Sequence, residues 1–205
     1  MTDYSKYTSK ELCEKYSDDF DEWWNPNAFD WTEGSSKLCH YLPDKFNTWW
    51  DPILFNWKRG SDALCYYLAD QFDTWWDPNK FDWDWSSWLL CRYVAKKFDI
   101  WWDPEKFNWQ TGSSVLCAYL PDKFDIWWDP ERFNWVGFGS EYLCRYLPEK
   151  SDVWFDPYLF DWQNNINDLK TNLLNKYELY NYLQKIKTSE FIFFIENQLK
   201  LQRGK

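Results

Sequence analysis

Large apolar side chains recur along residues 9–162 in a fixed order: two Leu four residues apart, a Phe, a Trp pair, then Phe-x-Trp. In the second copy Leu38, Leu42, Phe46 and Trp49 or Trp50 fall at i, i+4, i+8 and i+11 or i+12, which is the spacing of one helical face. That pattern predicts one helix of about 15 residues per copy, with Ser35 and its equivalents as N-caps. Pro43, Pro121 and Pro148 stand inside it and should bend or split it, whereas two copies carry Ala69 and Ala95 there. Asp51-Pro52 and its equivalents should end this helix and open a second short helical turn, as through Glu105-Lys106-Phe107. Phe107 and Trp109 are two apart and would also suit an extended return. The expected fold is therefore an all-α solenoid of short helical repeats, with an α/β solenoid as the alternative.

The period is marked by Cys13, Cys39, Cys65, Cys91, Cys117 and Cys144, with four steps of 26 and a last step of 27. Trp23, Trp49, Trp75, Trp101, Trp127 and Trp154 keep the same step, as do Ser9, Ser35, Ser61, Ser87, Ser113 and Ser140. The chain divides into a lead at 1–8, six repeats at 9–34, 35–60, 61–86, 87–112, 113–139 and 140–162, and a helical cap at 163–205. The extra residue of the last step falls within Val136 to Gly139. No single copy can hide three Trp, so neighbours must bury one another's faces. This makes the Trp row and Cys39, Cys65, Cys91 and Cys117 structural anchors. In the tail, Ile166, Leu169, Leu173, Tyr177, Tyr180 and Leu183 are spaced as an amphipathic helix, and Phe191 to Ile195 would dock on the last repeat.

Composition adds that burial runs through rings, since 19 Trp, 14 Tyr and 16 Phe make up 24% of the chain. The net charge of −10 argues against a nucleic-acid binder, which needs a basic face. The opening MTDYSKYTSKEL has no signal-like apolar stretch, and no run approaches the roughly 20 apolar residues that span a membrane. A soluble cytoplasmic protein that is neither secreted nor membrane-bound is the expectation.

Catalytic or metal chemistry finds no constellation. His40 is the only histidine, no Cys-x-x-Cys occurs, and neither a phosphate-binding Gly-rich loop nor Gly-x-Ser-x-Gly is present. Cysteines one repeat apart on stacked helices lie about 8–10 Å apart, beyond the roughly 7 Å a disulfide can bridge, and are expected as buried thiols. The ladder Asp21, Asn47, Asp73, Asp99, Asp125 and Asp152 reads as solvated or capping groups. No enzyme activity and no cofactor follow.

The informative irregularity is FDWDWSSW at 81–88, which adds Trp85 and Trp88. Other copies hold Glu33, Arg59 and Thr111 at the first position, and Ser36, Asp62 and Ser114 at the second. Exposed Trp is a typical partner anchor, although two such rings could instead stack on each other and patch a local gap.

The run YLPDKFDIWWDPERFNW at 119–135 resembles the WWDP…FNW repeats of uncharacterised Trp-rich tandem proteins of giant DNA viruses of amoebae and some intracellular bacteria. The likeness covers residues 9–162 and implies a source, not an activity. The expected function is a non-enzymatic scaffold for protein–protein interaction, in a viral particle or host cytoplasm, with self-association open. The alternative is a carbohydrate-binding protein that stacks rows of Trp and Asp on sugar rings.

Overall fold

A computed structural model of the chain describes residues 2–156, 159–161, 164, 165 and 168, so the cap expected at 163–205 lies almost wholly outside the described residues. Two compact units are present, Met1–Phe107 and Asn108–Lys205. The first contains α1 (Ser9–Lys15), α2 (Phe20–Trp23), α3 (Trp31–Tyr41), α4 (Phe46–Trp49), α5 (Trp57–Tyr67), α6 (Phe72–Trp75), α7 (Trp83–Tyr93) and α8 (Phe98–Trp101). The second contains α9 (Trp109–Tyr119), α10 (Phe124–Trp127), α11 (Phe138–Tyr146) and α12 (Ser151–Trp154). Each repeat is thus a long helix, a 3-10 turn, a one-turn helix and a loop. No strand occurs among the described residues, so the fold is the all-α repeat and not the α/β alternative.

The long helices α3, α5, α7 and α9 start four residues before the serines expected to cap them, whereas α11 starts two before Ser140 and α1 at Ser9 itself. Asp30, Asn56 and Asn108 are the caps, their side chains accepting from the backbone N–H of Thr32, Arg59 and Thr111. Ser35 lies one turn inside α3, fully buried, and its hydroxyl donates to Trp31 O at 2.6 Å. In α3, α5, α7 and α9 the Trp of Phe-x-Trp is the first helical residue, and the Phe before it is buried at the end of a turn. Asp51-Pro52 opens that turn and no second helix. Asp51 Oδ1 accepts from Ile53 N at 2.8 Å and its carbonyl from Phe55 N at 2.9 Å.

Proline does not cause the break in the middle of each repeat. The chain leaves the helix at Leu42 (φ −133°, ψ 40°) before Pro43, and equally at Leu68 (φ −127°, ψ 25°) and Val94 (φ −122°, ψ 24°) before Ala69 and Ala95. Pro43 begins the 3-10 turn that follows, where its missing N–H costs nothing. The break is held by the Trp row. The Trp49 Nε1–H donates to Leu42 O at 2.7 Å, and the same bond recurs from Trp23, Trp75, Trp101, Trp127 and Trp154 to the residue seven back, at 2.7–2.9 Å. The same carbonyl also accepts from the backbone N–H three residues on, as from Lys45 N at 3.1 Å, so the indole supplies a second donor at the buried helix end, which a Phe could not.

Within each unit the repeats join through the serines. The Ser35 hydroxyl accepts from Asn56 N at 2.9 Å, Ser61 from Asp82 N at 3.0 Å, and Ser113 from Asn134 N at 3.0 Å. α3 and α5 thereby hold the N-cap residues of the helices that follow them, and α9 holds the equivalent Asn134 ahead of the insertion. Lysines of the short segments add Lys45–Asp21 at 2.8 Å, Lys97–Asp73 at 2.6 Å and Lys150–Asp125 at 2.9 Å. These members of the acidic ladder are inter-repeat ion pairs and not caps. Exposed pairs of this kind contribute about 0–1 kcal/mol each, so the stack rests on burial.

The insertion at the end of the fifth repeat is absorbed at Gly137, whose φ of 70° suits glycine. Ser140 then reaches Trp135 O, five residues back, at 2.8 Å, so the following helix keeps its register.

Candidate interaction groove

Numbered from the opening Trp, positions 5, 8 and 9 of each long helix are Ser, Leu and Cys in every full copy, and all are buried. Leu38, Leu64, Leu90 and Leu116 are 0% exposed, as are Cys39, Cys65, Cys91 and Cys117. Positions 2, 3, 6, 7 and 10 differ between copies. They hold Thr32, Glu33, Ser36, Lys37 and His40 in α3, then Lys58, Arg59, Asp62, Ala63 and Tyr66 in α5, and Asp84, Trp85, Trp88, Leu89 and Arg92 in α7. Helical spacing turns most of these positions to the side away from Leu and Cys, while Ala63 and Leu89 at position 7 are buried beneath it. The non-repeating residues of three neighbouring helices therefore converge, and most of them line an open groove of about 1020 Å³.

Trp85 is 76% exposed and has no ring contact among the described residues. Trp88 is half-buried and lies along the helix, its Nε1–H donating to Trp85 O at 3.1 Å. The two rings share a wall of the groove without stacking on each other. Beside them Ser86 takes the place that Gly34 and Gly60 hold in α3 and α5, where a Cβ would overlap the Phe29 and Phe55 rings.

The rest of the groove is cationic and aromatic. The Lys58 ammonium and Arg59 guanidinium form no ion pair among the described residues. Lys37 at one end is paired with Glu14 at 3.0 Å, and that hydrogen bond holds the Glu14 carboxyl below its usual pKa. Asp62 is the acid in the lining, and its Oδ1 accepts from Ala63 N at 2.7 Å. His40 stacks on Tyr41 at 4.2 Å and on Tyr67 at 4.5 Å, which makes a continuous ring surface beside the cations.

The repeated anchors are all inside. Trp49, Trp75, Trp101, Trp127 and Trp154 are 1% exposed and Trp23 is 9% exposed, while the second Trp of each pair is half-buried. The six cysteines are free thiols, and burial pushes those of Cys39, Cys65 and Cys91 well above the usual range, which removes them as nucleophiles. Among the described residues no group of three or more His, Cys, Asp or Glu is placed to hold a metal ion, and no helix is long and apolar enough to cross a membrane.

Sequence reasoning singled out Trp85 and Trp88 but missed Lys58 and Arg59. Starting the helix at Ser61 leaves both outside it. Starting it at Asn56-Trp57 would have placed them on one face with Asp62 and Tyr66.

The outer face of the second unit is different. Gln110, Thr111 and Ser114, at positions 2, 3 and 6 of α9, line a pocket of about 310 Å³ closed by Asn134 and the insertion at 136–139. Comparison of the chain with protein-family models, curated proteins and solved structures finds no match, so the geometry of the groove carries the functional argument.

Proposed function

We propose that the chain is a non-enzymatic repeat scaffold that holds another protein on the outer face of α3, α5 and α7. One observation carries this reading: the Ser, Leu and Cys that every full copy shares at positions 5, 8 and 9 of its long helix are buried, while most helix positions that differ between copies gather along one groove, beside Tyr67 and with an exposed Trp at its wall. Packing between repeats restricts what is inside, and a residue outside is free to be chosen for a partner. The likeness to giant-virus repeat proteins fits a scaffold acting in a viral particle or in the host cell. Carbohydrate stacking is less well supported, because one ring of every Trp pair is sealed from solvent.

The test is capture by the intact chain, compared between wild type and a Trp85→Ser, Trp88→Ser double variant with matched thermal melts. A reproducible partner lost in the double variant is the expected result. Equal capture by both proteins would remove the groove from the function, and selective retention on a glycan array would favour the carbohydrate reading.

A further inference from the structure

We infer that the groove takes an acidic, extended segment of about six residues that carries a large apolar side chain, presented by the partner protein. This rests on the scaffold reading above and specifies the chemistry of its occupant.

Length follows from the helix stack. Neighbouring packed helices are about 8–10 Å apart, so a path over α3, α5 and α7 covers roughly 16–20 Å, which is about six residues of extended chain. A volume of about 1020 Å³ in an open groove stands at the upper limit of the roughly 300–1,000 Å³ usual for pockets that enclose small molecules.

Charge follows from what the cations do elsewhere. Lys45, Lys97 and Lys150 are each engaged with an Asp of the preceding repeat, and Lys37 with Glu14. Lys58 and Arg59 stand side by side on α5 in the middle of the groove, without an ion pair among the described residues. On a chain of net charge −10, adjacent uncommitted cations in a cleft select a carboxylate-bearing ligand from solution. Trp85 and Trp88 on α7, with Leu89 beside them, provide the apolar side of the same groove. An occupant must therefore place carboxylates over α5 and an apolar side chain against α7.

A nucleic acid fits less well. Lys58 and Arg59, with Asp62 in the same lining, offer few phosphate contacts, and backbone binding depends on their number.

The experiment is fluorescence anisotropy with the full chain and a labelled hexapeptide, Glu-Asp-Leu-Phe-Glu-Asp. Saturable binding is expected, weakened roughly tenfold by Lys58→Gln with Arg59→Gln and also by Trp85→Ser. It should weaken further as salt rises from about 0.05 to about 0.3 M, and the Lys-substituted peptide should not bind. Unchanged circular dichroism confirms that the variants fold, and Arg59→Lys should retain most of the binding. Equal affinity for acidic and basic peptides overturns the inference, as does tighter binding of a labelled ten-base oligothymidine. If the acidic peptide fails while Trp85 and Trp88 still govern partner capture, the acidic occupant is wrong and the scaffold stands. If capture is also indifferent to them, both fall.

Discussion

The two compact units share an interior and differ on the outside. In the first, Phe72 stacks on Trp76 at 5.0 Å and 24°, and Trp75 lies along Phe81 at 6.4 Å and 20°. In the second, Phe124 stacks on Trp128 at 5.1 Å and 24°, and Trp127 lies along Phe133 at 6.4 Å and 19°. Each ring touches several others, so replacing one disturbs the cluster and the geometry tolerates little change. The outer positions touch solvent. There the first unit carries Arg59, Trp85 and Trp88 around a wide groove, and the second carries Thr111 and Ser114 beside a small pocket. Internal repetition marks what packing requires, and departures from it mark what packing leaves free.

Three pairs of substitutions can break that comparison. The largest effect is expected from Trp75→Ala and Trp127→Ala. Each should cost about 3–5 kcal/mol in denaturant unfolding, because a buried ring is lost and a helix-end carbonyl keeps only the second of its two donors, Gln71 N or Lys123 N. Effects that differ between the two units by as much as the effects themselves would show that the interiors are not equivalent.

Next come Ser61→Ala and Ser113→Ala. Each removes the acceptor of a backbone N–H of the following repeat, Asp82 N or Asn134 N, at a cost of about 1–3 kcal/mol in the same measurement. A neutral outcome in both would mean that the inter-repeat hydroxyl bond contributes nothing and that apolar packing alone joins the repeats.

The smallest stability change is expected from grafting the groove's rings onto the second unit. Thr111→Trp with Ser114→Trp should alter stability by no more than about 0.5 kcal/mol, since both positions lie on the outer face of α9. Calorimetry reads this directly. A loss of several kcal/mol would show that the outer face of the second unit is part of its packing and not a free surface.

How far the sequence alone reaches differs between elements. The period, the helical class and the burial of Trp49, Trp75 and Cys65 are legible in it, because a repeat that must cover its neighbour cannot change its large apolar residues. The helix starts are not. Asn56 and Ser61 are both good N-caps by residue type, and local preference cannot choose between them. The choice is made by a contact at long range, since the Ser61 hydroxyl is taken up inside the stack by the N–H of Asp82, 21 residues on. The break at Leu68 is settled within the repeat, where the Trp75 indole seven residues on joins Gln71 N at its carbonyl, with no proline present.

The groove belongs to this second category. Trp85 stands out in the sequence as a ring where other copies are polar. Lys58 and Arg59 become its neighbours only when the true helix register turns them to the same side and α5 and α7 lie next to each other. Sequence by itself determined which residues must be inside, since water excludes the same rings from every copy. Tertiary structure decided which residues meet outside, because that depends on where each helix begins, and only the neighbouring repeat fixes that point.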